Sequence, residues 1–536
     1  MPYTLGGVSL SRRDLDRRIA RLAIPAVGAI AAEPLYNLAD TAIVGHLGRE
    51  PLDALALAAS TLSVVVWLAI FLQTATTTEV ARHAARGQHD AAGRAVGAAY
   101  AVAAGWGVVT AAIVAGIAPL LVSLLGGHAA TGTAATSYIR IAVLGMPFLY
   151  LSYAGNGHLT GQEDTRTPLR IAVGANVVNV ALEVWLVFGL RTGLIGSAWG
   201  TVAAQVLAAA AYGYASRRSS YPPRRPGGSE VAALLRDGHR LSVRTIALGV
   251  VPLAATGVAA RLGPVPLAGQ QVAYRLWGLL SLSTDALAVP AQVFGSAAVG
   301  RGDREAAEQA AHRTLVLGLI AGVGLGVLTA ALALVAPAAF TSDPAVRSAA
   351  VTGLLWSAAT QPLAAVAFVY DGIILGLGDY SAMRRTMLWA IVAFAPLAVL
   401  VLRFHWLGLP GLWTALGCWL AARTVMLGRR SRAVLHDRAA PEGAPSKGAV
   451  REGASAVGGE AELDGQGQAC QGDGDPEDAD REVARQVLAR VTADEEAGCQ
   501  RRHERPLHRG VASEYRGGHE VGGAGHHVLD RVDPDQ

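Results

Sequence analysis

The sequence predicts an all-α polytopic membrane protein, with twelve transmembrane helices in two six-helix parallel repeats and a disordered polar tail at the C-terminus. Three observations lead there. The 536 residues are 52% hydrophobic and only 16% charged, too apolar for a soluble chain of this length. Apolar runs long enough to cross ~30 Å of hydrocarbon as helices recur twelve times. The chain also repeats itself without a gap at an offset of 215 residues: Leu47, Gly48, Pro51 and Leu52 return as Leu262, Gly263, Pro266 and Leu267, and Arg86-Gly87 as Arg301-Gly302. Pro147, Gly157, Gly161 and Asp164 return as Pro362, Gly372, Gly376 and Asp379, and Gly193, Leu194 and Gly196 as Gly408, Leu409 and Gly411.

The predicted spans run over 19–45, 55–80, 91–122, 136–159, 168–189 and 194–215, then over 240–262, 268–299, 309–338, 346–375, 384–403 and 408–428. Six spans per repeat is an even number, so both copies enter the membrane in one orientation and are related by an axis along its normal. The domains expected are a first lobe at 1–215, a linker at 216–239, a second lobe at 240–436 and the tail at 437–536. Arginine fixes the orientation. Arg12, Arg13, Arg17, Arg18 and Arg21 precede the first span, and Arg82, Arg86 and Arg94 follow the second. The same side carries Arg166, Arg170, Arg217, Arg218, Arg301, Arg304, Arg384, Arg385, Arg429 and Arg430, whereas the alternate loops hold one arginine or none. The positive-inside rule then places both termini in the cytoplasm and the chain in the plasma membrane.

The tail carries 21 of the 41 acidic residues and 12 of the 45 basic ones, which leaves 33 basic against 20 acidic residues before position 437, a net +13. A basic body suits loops facing anionic lipid. With 44 arginines and one lysine, Lys447, the bias reflects coding composition, and no nucleic-acid site follows. Cys418, Cys470 and Cys499 have no metal-ligand spacing, and His519, His526 and His527 read as part of a polar tail. The expected partners are a small-molecule substrate and the bilayer, for a monomer without cofactor or metal.

Intramembrane polar residues need a reason, because a carboxylate at the bilayer centre costs at least ~2.5 kcal/mol. In the first span Glu33, Asn37 and Asp40 fall at i, i+4 and i+7, on one helix face. The fifth span repeats the device with Asn176, Asn179 and Glu183. Two such stripes can line one cavity, with Tyr36 and Asn156 beside them. Pro25 and Pro34 each remove a backbone hydrogen bond from the first span and can bend it. The alternative is that these groups are satisfied structural residues and the prolines fixed kinks. In the second half the counterparts of Glu33 and Asp40 are Leu248 and Ala255, so the ion or proton site is expected in the first half alone. Asp285 and Asp371 are the second half's intramembrane acids and are expected to line the substrate cavity with Asn37, Asn176, Asn156 and Tyr36, while Asp371 either binds a cation or holds a broken helix at Gly372. Gly318, Gly322 and Gly326 form a helix-packing series. No histidine falls deep in a predicted span, and no phosphate loop, zinc motif or nucleophile elbow appears, so the chain is not expected to be an enzyme. Transport would then be driven by an ion gradient.

The string EPLYNLADTAIVGHLG at 33–48, with Pro25 before it, resembles the multidrug and toxic compound extrusion (MATE) family in its DinF-like branch. GQEDTRTP at 161–168, ANVVNVALE at 175–183, DALAVPAQ at 285–292 and DGIILGLGD at 371–379 are similar to signatures of that branch in the expected order. The resemblance covers about residues 15–430. It implies two six-helix lobes around a V-shaped cleft, and efflux of amphipathic or cationic compounds in exchange for protons or sodium. It also implies that Asp40, Asn179 and Glu183 form the coupling site, with Glu33 near it, and that Pro25 is the bending proline. Two departures stand out: Glu183 is one methylene longer than the usual aspartate, and Thr160 stands where an arginine is common. Other readings are a lipid-linked-precursor flippase of the same superfamily, for which a continuous cationic cleft is expected, a major-facilitator transporter, and a non-transporting scaffold.

Overall fold

The computed structural model describes residues 3–5, 8–127 and 129–437, so the predicted tail and its histidines lie outside the described residues. A short antiparallel hairpin, β1 (Tyr3–Leu5) and β2 (Val8–Leu10), precedes α1. The first half comprises α1 (Arg12–Gly45), α2 (Arg49–Ala85), α3 (His89–Leu124), α4 (Ala129–Ala142), α5 (Met146–Gly161), α6 (Arg166–Val184) and α7 (Leu194–Arg217). The second comprises α8 (Gly228–Leu262), α9 (Pro264–Asp285), α10 (Ala288–Arg301), α11 (Arg304–Phe340), α12 (Pro344–Leu377), α13 (Tyr380–Arg403) and α14 (Gly408–Asp437).

Ten membrane-length apolar helices stand out among the described residues, with α4 and α5 forming one of them. The broken pair α9–α10 and the arginine-ended α14 bring the total to twelve. All are helices because hydrocarbon offers backbone groups no partner outside the segment. Polar side chains start several of them: Ser11 accepts from the amide of Asp14, Asp303 from that of Ala306, and Asp343 from that of Ala345. The predicted series Gly318, Gly322 and Gly326 lets α11 lie on α12, where an added Cβ would meet Val369, Ala365 and Ala358 at 2.7–2.8 Å.

The sequence repeat is also a backbone repeat. Left-handed positions recur at the same offset in four pairs: Gly48 and Gly263, Gly87 and Gly302, Glu163 and Gly378, Gly193 and Gly408. The halves differ in where spans break. The first is interrupted between α4 and α5, the second between α9 and α10 directly after Asp285. One role left open for Asp371 is corrected here, since α12 runs unbroken through Gly372. Its Gly372 instead allows close approach to α10, where an added Cβ would meet the Ala288 carbonyl.

On the arginine-rich side the halves are joined. Arg313 grips Asp16 with two bonds of 2.5 Å, and Arg86 Nε donates to the Gly300 carbonyl at 2.7 Å. Gln292 Nε2 donates to the Thr74 carbonyl and to Thr78 Oγ1, and the Thr78 hydroxyl donates to the Leu375 carbonyl. One hydrophobic cluster runs through this seam, with Leu72 and Ala75 from the first half and Ala291, Ile373 and Ile374 from the second.

Candidate functional site

Between α1, α2, α5, α6 and α7 lies a cavity of about 440 Å³, lined by first-half residues alone. Glu33, Tyr36, Asn37, Asp40, Asn156, Asn176 and Asn179 all face it, so the two stripes read from the sequence meet across one space. Along α1 the wall runs from Ala29 to Thr41 and along α2 from Leu55 to Trp67, in the portions of both helices away from the arginine-rich ends. Glu33 and Asn37 are exposed to the space; Asp40, Asn179 and Glu183 are buried at its edge.

The buried end is organised by a residue that the sequence did not single out. Ser197 Oγ lies 2.7 Å from Asp40 Oδ1 and 3.2 Å from Glu183 Oε1, so one hydroxyl stands between two carboxyl groups. Tyr36 reaches Glu183 Oε1 at 3.5 Å and the Thr201 hydroxyl at 2.8 Å. Gly200 on α7 makes room, because a Cβ there would lie 2.9 Å from Glu183 Cγ. Asn179 Oδ1 and Glu183 Oε2 are buried without a hydrogen-bond partner among the described residues. Among the described residues, neither carboxylate has a salt bridge to any arginine or histidine. A wide helical turn at Trp185–Gly189 directly follows Glu183, a departure frequent at functional sites.

Pro25 and Pro34 both sit inside an unbroken α1. Pro25 has no N–H for the Arg21 carbonyl, and the Thr165 hydroxyl lies 3.5 Å from that oxygen. Next to Pro34, Asn176 Nδ2 donates to the Ala32 carbonyl at 2.7 Å, tying α6 to α1.

Asp371 and Asp285 stand apart from this cavity, in the second half. Asp371 Oδ2 accepts from Arg244 at 2.8 Å and also from Arg423, whose guanidinium lies over the rings of Phe368 and Trp419. Asp285 is half-buried at the end of α9, where the span breaks before α10. Sequence reasoning passed over Arg244 and Arg423, although a charged residue inside each of two predicted spans was the signal. His158 was missed as well. At the arginine-rich end of α5 it is fully buried, bonded to Ser216 at 2.9 Å and Ser219 at 3.3 Å.

No group of three histidine, cysteine or carboxylate side chains suited to a metal occurs among the described residues. The donors that do converge, carboxylate, amide and hydroxyl oxygens from Asp40, Glu183, Asn179 and Ser197, suit a proton or a hard monovalent cation.

The MatE family model matches residues 25–185 and 242–403, once in each half of the chain. The chain belongs to the MATE family. It is 31% identical to Protein DETOXIFICATION 44, chloroplastic, of Arabidopsis thaliana, over 77% of this chain and 81% of that protein. It is 27% identical to DNA damage-inducible protein F of Escherichia coli, over 77% of this chain and 91% of that protein. A solved structure of MATE in the bent conformation shares the fold at a TM-score of 0.75 and 21% identity, over 80% of this chain and 98% of that one. This MATE protein is therefore a multi-pass membrane transporter of the secondary efflux type, not an enzyme, and belongs to a family coupled to ion gradients.

Proposed function

We propose that this MATE transporter binds amphipathic or cationic small molecules in the first-half cavity and exports them across the plasma membrane in exchange for protons or sodium taken up at Asp40, Asn179 and Glu183. The observation that carries this is the pair Asp40 and Glu183, buried around one hydroxyl with no counter-cation, at the edge of a cavity of about 440 Å³. Two like charges so placed repel each other in a low-dielectric site, and something from solution must neutralise part of that charge. Asn179 Oδ1, buried and unpartnered, offers a further oxygen to a cation.

The termini, the arginine-rich side and the joined seam lie in the cytoplasm in this reading, and α1–α7 and α8–α14 are two lobes that rock about the seam. With the seam closed, the cavity takes an ion from outside, α1 rebends at Pro25 and Pro34, and cargo leaves. Reopening toward the cytoplasm releases the ion and admits the next cargo. One charge moved through 100 mV supplies ~2.3 kcal/mol, enough for a gradient of roughly 50-fold. The chain acts as a monomer, since its cavity is complete within one copy. No arginine or lysine lines the cavity, in contrast to the cationic cleft expected of a flippase for anionic lipid-linked precursors.

The test is efflux of a fluorescent cationic dye from proteoliposomes under an imposed pH or sodium gradient. Movement driven by one gradient and lost in Asp40→Asn supports the antiporter and names its ion. Undiminished gradient-driven movement by well-inserted Asp40→Asn refutes the coupling role.

A further inference from the structure

The repeat offset carries Arg244, Asp371 and Arg423 onto Ala29, Asn156 and Ala208, and all three of those residues line the first-half cavity. The second half therefore places an ion cluster at the positions where the first half has open space. A second-half void lined by Tyr274, Trp277, Trp413 and Trp419, among others, measures about 10 Å³, against about 440 Å³ in the first half. Ten cubic ångströms hold about one water and no cargo.

The cluster supplies its own counter-charge. Asp371 and Arg423 are almost wholly buried, with side chains 2% and 1% exposed, and Arg244 is 12% exposed. Asp371 takes both guanidiniums on one oxygen, Oδ2, while its Oδ1 has no hydrogen-bond partner among the described residues. A buried carboxylate that lacks such partners must draw a cation or proton from solution; this one has its cations attached to the chain.

We propose that Arg423 and Arg244 act as tethered cations that permanently occupy the ion site at Asp371, leaving the second half with no exchangeable ion and no cargo chamber. Resting on the assignment of coupling to Asp40 and Glu183, it adds that the second half is electrically silent through the cycle. Asp371 is then a positioning residue for the fold of the second lobe and not a coupling acid.

A charge-balanced pair of substitutions tests this. Asp371→Asn alone strands two guanidiniums and should lower the yield of folded protein or its efflux by about tenfold or more. Asp371→Asn together with Arg423→Met removes one charge of each sign from the cluster, and should return gradient-driven dye efflux to within about threefold of wild type at an unchanged ion-to-cargo ratio. A coupling acid is not rescued by removing an arginine. A double variant that inserts at the wild-type level and is monodisperse, but shows no gradient-driven efflux, overturns the proposal.

A second measurement does not depend on that variant folding. Dye is added to purified protein in weakly buffered detergent, and proton or sodium release is followed for wild type and for Asp40→Asn/Glu183→Gln, both with the second-half cluster intact. Release from wild type that disappears in the variant supports a silent second half; release that survives overturns it. Failure of the underlying assignment is seen separately, as full gradient-driven efflux by Asp40→Asn alone.

Discussion

The two halves share a backbone plan and differ in what they do with buried charge. In the first, Asp40 and Glu183 stand on either side of Ser197 with a cavity beside them and no guanidinium in bonding range. In the second, Asp371 is gripped by Arg244 and Arg423, and the space is filled. A duplicated fold can thus keep its helices, turns and glycines while pairing buried carboxylates with arginine in one copy and not in the other. The deciding variable is whether the counter-charge belongs to the chain or to the solution.

The strongest way to break this comparison is Asp40→Asn, expected to reduce gradient-driven efflux in proteoliposomes to the level of empty vesicles while expression persists. Next comes a transplant of the second half's pair into the first, Asn156→Asp with Ala208→Arg. The arginine should fill the cavity and lower dye efflux by more than about tenfold, with the protein still monodisperse. Ser197→Ala removes the shared hydroxyl and with it a hydrogen bond worth about 1 kcal/mol, so ion-driven efflux should fall by roughly fivefold without being abolished.

Smaller effects are expected at the seam. The Asp16–Arg313 pair is partly exposed and worth about 1 kcal/mol or less. Asp16→Asn should raise thiol labelling of a cysteine placed on the arginine-rich side by a few-fold at most, and the exchange Asp16→Arg/Arg313→Asp should restore it. The smallest effect concerns pH. Burial pushes the Asp379 carboxyl up, but the Ala382 amide and Arg430 outweigh it and hold the group below the ordinary carboxylate range. Its contribution to stability is therefore present above the ordinary aspartate value and lost as pH falls through the lowered one. The melting temperatures of Asp379→Asn and wild type should differ near neutral pH and draw together as pH falls below the ordinary aspartate value.

Much of this was legible in the sequence because hydrocarbon is an unforgiving solvent. Apolar runs had to be helices, and Glu33, Asn37, Asp40, Asn176, Asn179 and Glu183 stood out as polar residues with no business facing lipid. Helical spacing then put each stripe on one face, and the structure brings both to one cavity. Ser197 was invisible, since a serine is tolerated in a membrane helix and announces nothing about which carboxylates flank it. Arg244 and Arg423 were hidden for a different reason. Arginines crowd the ends of these spans, and an arginine one or two turns further in looks like another interfacial residue until its partner on a distant helix is known. Asp371 stays open in the sequence between a cation site and a broken helix on the same account, because its partners lie 127 and 52 residues away.

The length of α1 gives its proline a mechanical advantage. One continuous helix carries Asp16 in the seam, Pro25, and Asp40 at the cavity. At 1.5 Å per residue, Asp16 lies about 14 Å from Pro25 along the axis and Asp40 about 22 Å on the other side. A change in bend of about 10° at Pro25 would swing the first by about 2.4 Å and the second by about 4 Å relative to each other's frame. The shorter arm's travel matches the reach of one hydrogen bond, so a small bend at Pro25 is enough to part Asp16 from Arg313 while Arg86, Gln292 and Thr78 keep the rest of the seam joined.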